Sequence, residues 1–480
     1  MTRYLIRRQL RRTLALASLL ALPAIACTDT LLNVTDPDII MAANSAAAAQ
    51  ALVNGTILRL AQAVSGVQGG GNTGEALFMF GALLTDEWRS GDTFIQRNTE
   101  DQRIWDPNNT FNHGPFRNLN RVRTQAALAI DGLRTYVPTA LSDLARMFDF
   151  IAYVQVLLGE HYCNGVPLSS ISGTTVIDGD PLSNDSLFKL AAANADSALS
   201  IVRGSDSTRV ANFANLIKGR ALLDRGDTAG ARAAVTGVPR SFRYDVTHSL
   251  NVNDNQIWAL NASSRRYTMG DLEGVTGLPY VTGDSIKYPI ILPGGFTGKQ
   301  LGDPRLPTKT GPDGIFDTAF PIKVIRQGVW GRTSNVTIAS GVEARLIVAE
   351  VALRTGDATT WLNELNALRA DTTLLPVPQD TSFRPVQGTK LAPLTDPGPS
   401  PKDSLRVDML FRERGFWLFS TGHRLGDMRR LLRQYARADS TVYPHGLWFK
   451  GGPYGDAIQM VLPVEELNNT NFHGCADRNP

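Results

Sequence analysis

The stretch Glu413–Tyr435, ERGFWLFSTGHRLGDMRRLLRQY, decides how the rest of the chain is read. Met409 and Phe416, and Leu410 and Trp417, lie seven residues apart, which places each pair on one side of a helix. Beyond Thr421-Gly422 the residues Leu425, Met428, Leu432 and Tyr435 recur at three and four, so a second helix follows a break. Arg424 and Asp427, then Asp427 and Arg430, stand three apart and are expected to pair along that helix. The stretch carries no catalytic signature. Its large apolar groups and arginines mark a structural centre, and Trp417, like Trp361, is expected in the core.

Upstream, the same periodicity predicts helices over 42–64, 75–86, 121–133, 141–158 and 186–202. Two further pairs share one design. Alanine-rich helices at 212–223 and 228–235 are separated by Asp224-Arg225-Gly226-Asp227, and those at 343–353 and 359–369 by Arg354-Thr355-Gly356-Asp357. Each reads as a tetratricopeptide-type helical hairpin, with small residues such as Ala221 and Ala231 letting the helices approach. The pairs are scattered, so a regular solenoid is not expected. Residues 239–334 are rich in Gly, Pro, Thr, Asn and Asp and read as long loops with a few short strands. A second Pro/Thr/Asp-rich insertion covers 371–402, and residues 441–480 form aromatic and glycine-rich loops. The fold class is mainly α, a helical scaffold (42–238 and 335–440) carrying long irregular loops, within one domain from 42 to 480.

The chain has 480 residues, 43% hydrophobic and 19% charged, with a net charge of +3. That is ordinary globular composition, and no basic run in the body suggests nucleic acid. The charges read as a solvated mixed surface. The Gly66–Gly74 run is a loop without the flanking strand or spacing of a dinucleotide fingerprint.

The first residues carry a local message of their own. Arg3, Arg7, Arg8, Arg11 and Arg12 form a positive region, and the apolar run Thr13–Ala26 has 14 residues, short for a membrane span. It ends in Ala24-Ile25-Ala26-Cys27, which resembles a bacterial lipobox. Residues 1–26 are expected to be a removed signal peptide, Cys27 the lipid-bearing first residue, and 27–41 a tether. Cys163 and Cys475 remain. Either they pair as a disulfide, which an exported protein can keep, or they are separate buried thiols.

Several stretches together resemble the SusD/RagB family of outer-membrane nutrient-uptake lipoproteins. Its signature helix, ERxxELxxEGxRxxDLxR, is matched by Glu413-Arg414, Leu418, Gly422, Arg424, Asp427, Met428 and Arg430. Its AEAxLxxG core is matched by Ala349-Glu350-Val351-Ala352-Leu353 through Gly356, and its LPIPxxExxxN ending by Leu462-Pro463-Val464-Glu465-Glu466 with Asn468 or Asn471. Gly159-Glu160 leading to Asn164-Gly165-Val166-Pro167-Leu168 matches the loop after an early helix, and Leu32-Asn33-Val34 with Asp36-Pro37 follows the lipobox. The two glutamates of ELxxEG are replaced by Trp417 and Thr421, which marks a divergent branch. The resemblance implies a SusD-like fold with tetratricopeptide-like hairpins, lipid-anchored in the outer membrane and surface-exposed. It implies a non-catalytic protein that captures oligosaccharides, or peptides, for a SusC-like TonB-dependent barrel.

Sugar binding favours flat aromatic rings, on which the apolar C–H face of a pyranose stacks, with polar neighbours to fix the hydroxyls. The candidates are Trp88 and Trp105 with Asp86 and Asn108, then Trp258, Tyr280 and Trp330, then Trp448 and Tyr454. No cofactor or metal is expected. The chain has no HExxH, CxxC or GxSxG pattern. Two alternatives stand beside the binding protein: a secreted glycan-active hydrolase, for which Asp86-Glu87 or Glu465-Glu466 would supply carboxylates, and an assembly scaffold without a small ligand.

Overall fold

The structure, a computed structural model, describes residues 42–66, 75–172, 175–283, 290–294, 302–400 and 404–480. The signal peptide, Cys27, the tether and most of the glycine run lie outside the described residues.

Ten helices of eight residues or more organise the described chain. They are α1 (Ala46–Ser65), α2 (His113–Tyr136), α3 (Leu141–His161), α4 (Asn184–Ile201), α5 (Ser207–Asp224), α6 (Thr228–Val235), α7 (Gly341–Arg354), α8 (Ala358–Ala370), α9 (Ser404–Trp417) and α10 (Arg424–Tyr435). From α1 to α8 each helix packs on the next, while α9 and α10 close back onto α7 and α3. The α2 helix begins eight residues before the apolar period does, at His113-Gly114-Pro115. A proline in the first helical turn costs nothing, because its missing N–H would have no intrahelical partner. The expected helix over 75–86 is shorter, an α-turn at Leu77–Phe80 followed by a 3-10 turn at Gly81–Leu84.

The two Gly-Asp turns are built alike, and the residues say why. Gly226 and Gly356 take left-handed φ angles of 81° and 80°, which an L side chain resists. Their N–H groups reach back to Leu223 O and Leu353 O at 3.0 and 3.1 Å, ending the first helix. Asp227 and Asp357 then cap the second helix, each accepting an N–H three residues on (Gly230 and Thr360) at 2.9 Å. A Cβ on Gly219 would lie 2.3 Å from Val235, so α5 and α6 approach as closely as their small residues allow.

Strands are short and paired in twos. β1 (Trp88–Ser90) pairs with β3 (Tyr267–Met269), β2 (Arg243–Val246) with β6 (Val336–Ser340), and β4 (Thr308–Gly314) with β5 (Lys323–Gln327), all antiparallel. These pairs fold the 239–334 region back onto the scaffold. Cys163 and Cys475 form a disulfide with their Cα atoms 5.8 Å apart, tying the C-terminal loops to the end of α3. No helix among the described residues is long and apolar enough to cross a membrane.

Candidate functional site

The stretch from Glu413 to Tyr435 is a buried ionic centre. The Arg305 and Arg369 guanidinium groups donate to the two oxygens of Glu413 at 2.7 and 2.8 Å. Arg414 forms a fork on Asp427 at 2.7 and 2.8 Å, and Arg430 reaches both Asp427 and Glu350. Burial opposes ionisation of Asp427, yet Arg414 and Arg430 hold its carboxyl well below the usual carboxylate range. Arg424 does not pair with Asp427 as its spacing suggests. It forks onto Asp86 at 2.8 Å, 338 residues away in sequence. These arginines are buried, so the expected solvated mixed-charge surface is corrected here: much of the charge holds the interior together. The chain breaks between α9 and α10 with left-handed Ser420 and Gly422, and Ser420 N donates to Glu87 Oε1 at 2.9 Å.

This centre accounts for three of the predicted ligand contacts, which the structure places in the core instead. Trp88 is fully buried and donates its indole N–H to Ser420 Oγ at 2.9 Å. Asp86 is taken by Arg424, and Tyr280 is buried against Phe416 and Phe419, with its hydroxyl 3.3 Å from Asp86 Oδ1. A polar stretch of sequence does not reveal that a strand pair closes over its tryptophan. Burial pushes Glu87 up to about 8, and with Asp86 it lies out of reach of any glycosidic bond. Trp361 is in the core as expected, whereas Trp417 is half-buried and walls a cavity.

Trp330 is buried and lines the same cavity. Trp258 is half-buried, with the Arg332 guanidinium 5.9 Å from its ring, and Trp105 faces Arg478 at 4.3 Å beside the C-terminus. Asn108 is exposed in the loop after Trp105.

What the structure does bring together are the three loop stretches from which candidates were drawn. Residues 89–111, 265–275 with 313–320, and 445–454 meet on one face. Asp92 ties them: buried, it accepts from Arg266 at 2.6 Å and from Arg97. Burial raises the cost of its charge, but Arg266 and Arg97 hold its carboxyl below the usual range. Lys450 Nζ donates to Asn98 Oδ1 at 3.0 Å and pairs with Asp317 at 3.1 Å. Tyr454 and Arg89 both engage Glu273, and Trp448 donates to Asp101 Oδ2 at 2.9 Å. Burial pushes Asp101 up to about 7, and Trp448 itself is buried, so it anchors the face rather than presenting a ring.

The exposed rings are phenylalanines. The Arg266 guanidinium lies 4.9 Å from the Phe94 ring and 3.9 Å from the Phe316 ring. Phe94 stays 44% and Phe316 37% exposed, and Arg89 sits 5.3 Å from Phe449. A search among tryptophans and tyrosines passes these residues by. The available signal was an aromatic beside aspartate in a polar loop, as in Asp92-Thr93-Phe94 and Phe316-Asp317. Flat apolar faces can stack on a sugar ring, and the Lys450 ammonium with the buried carboxylates of Asp92, Asp317 and Glu273 braces those rings from within the face. Among the described residues no cluster of His, Cys, Asp and Glu could hold a metal ion.

No protein-family model matches the chain, and no curated protein matches it. Solved structures do. A SusD-like carbohydrate-binding protein of Bacteroides fragilis superposes with a TM-score of 0.64 at 13% identity, over 90% of this chain and 99% of the other. A laminarin-binding SusD-like protein gives 0.55 at 16% identity, over 90% and 100%. NanU of B. fragilis gives 0.53 at 13% identity, over 91% and 97%. The chain therefore has the SusD-like fold, mainly α, as the signature helix and its companions imply.

Proposed function

We propose that the protein is a non-catalytic binding lipoprotein that captures oligosaccharides on the face around Phe94 and Phe316. The observation that carries this reading is the meeting of three separate loop stretches on one aromatic and ion-paired face. Loops set on a rigid scaffold are where ligand contacts concentrate. The likeness to SusD-like proteins, one carbohydrate-binding and one laminarin-binding, supports a glycan rather than a peptide ligand. In this reading the lipid on Cys27 anchors the chain in the outer membrane, facing outward, and it delivers its ligand to a SusC-like TonB-dependent barrel.

Two measurements test it. Cys27→Ala should leave a folded protein that no longer sediments with membranes, and retention there would remove the lipid anchor. Pull-down of the wild-type chain in mild detergent should bring a large β-barrel with it. A pull-down without one, alongside glycan turnover abolished by a single Asp or Glu change, would favour the hydrolase.

A further inference from the structure

Segment Thr372–Pro378 leaves α8 in a 3-10 turn and then runs as a strap over three cavities of about 470, 270 and 210 Å3. The largest shares Leu375, Pro376 and Val377 with the second, and Thr373, Leu374 and Trp417 with the third. They form chambers of one trough. Its other walls are the end of α9, the β2–β6 ribbon and the loop from Val329 to Asn335. None of the residues that form the Phe94–Phe316 face lines it.

The lining has a consistent chemistry. In the largest chamber the charges are already matched, Arg305 by Asp303 and Glu413, each contacted at 2.7 or 2.8 Å, and Arg243 by Asp245 at 3.6 Å; Lys390 and Arg240 line the two smaller ones. An ionic ligand would find no free countercharge in the largest chamber. The remaining polar groups are hydroxyls and an amide, among them Thr337, which accepts from Arg243 and donates to Asp245 at 2.6 Å each. Two indoles, Trp330 and Trp417, complete the wall. The Trp417 indole N–H is buried and has no hydrogen-bond partner among the described residues. Such a donor is costly unless something accepts from it. The Arg305 guanidinium, 5.3 Å from the Trp417 ring, holds that ring in place.

A cavity of this size falls within the range of ligand sites, about 300–1,000 Å3. An extended peptide would need backbone partners, and Pro376 and Pro378 of the strap have no N–H to offer. A sugar chain needs only ring faces and hydroxyl partners. We propose that the trough is a second saccharide site, taking a short stretch of an uncharged oligosaccharide beneath the strap, with Trp417 as stacking wall. The ligand class rests on the reading of the chain as a glycan binder; the location does not.

The test is calorimetric titration of the full-length protein with laminarihexaose and maltohexaose, and with a neutral hexapeptide for comparison. The expected result is two sites per chain for one of the hexasaccharides. Trp417→Ala should remove one site, and Trp417→Phe, which keeps a smaller stacking ring, should weaken it less. Phe316→Ala should leave that site intact. Should Trp417→Ala not fold, Val377→Arg at an exposed strap residue makes the same test by obstructing the trough. Unchanged stoichiometry in the Trp417 and Val377 variants, no hexasaccharide binding by the wild type, or a Trp417-dependent site for the peptide alone overturns the proposal. Loss of all binding in Phe316→Ala also overturns it and leaves the loop face standing. Loss only in the Trp417 variants overturns the loop face and leaves the trough.

Discussion

The ionic centre at α9–α10 and the Phe94–Phe316 face use the same residues to opposite ends. Both contain arginines, carboxylates and aromatic rings. At the centre, Glu413, Asp427 and Glu350 are buried with arginines on nearly every side, and the rings of Phe416 and Phe411 pack against two of them, Arg305 and Arg430. At the face, Asp92 is equally buried, but the Arg266 it holds carries two partly exposed rings outward. What separates a structural network from a recognition surface here is whether the aromatic groups at its edge still see solvent.

The largest effect that could break this contrast is on stability. Glu413→Ala leaves Arg305 and Arg369 buried without their shared partner, and loss of a buried ion-pair member costs about 3–5 kcal/mol. Denaturant unfolding should register that loss. A change within about 1 kcal/mol, the range of surface substitutions, would mean the centre is no more structural than the face.

A smaller effect on the centre is read from pH. Burial lifts Glu87 from an ordinary 4.5 to about 8, so the folded chain keeps a proton that the unfolded chain has released. Between pH 4.5 and 8 stability therefore falls as pH rises, and above 8 this group adds no further slope. Glu100, also lifted to about 8 by burial, contributes in the same window. Glu87→Gln keeps the acceptor for Ser420 N and removes the titration. Relative to wild type it should gain roughly 2–4 kcal/mol between pH 5 and 8.5, with Glu100 leaving a residual slope. Parallel stability curves for the two proteins would show that Glu87 does not titrate in this window.

Much of the scaffold was legible in the sequence. The Gly-Asp turns could be read because glycine supplies the left-handed end of one helix and aspartate the cap of the next, both local effects. The signature helices could be read because their apolar period is local too. The ligand candidates were legible by region but not by residue. Trp88 and Tyr280 stand in polar, loop-like sequence, yet β1 pairing with β3 and the packing of Phe416 and Phe419 bury them. Phe94 and Phe316 come together through Arg266 across 222 residues of chain (94 to 316), a distance no spacing rule covers. Trp417 fits a helical period but sits where α9 ends and the cavity begins, so the period alone placed it in the core. The substitution of Trp417 and Thr421 for the motif's glutamates was the sequence's own pointer, since both line that cavity.

Glycan recognition is proposed for the exposed face, not the buried centre. Calorimetric titration of the Phe94→Ala/Phe316→Ala double variant with the hexasaccharide that binds the wild type tests it most directly. The expected result is at least about a tenfold loss of affinity at the face, with unfolding free energy within about 1 kcal/mol of wild type. Undiminished binding by a stably folded double variant would contradict it.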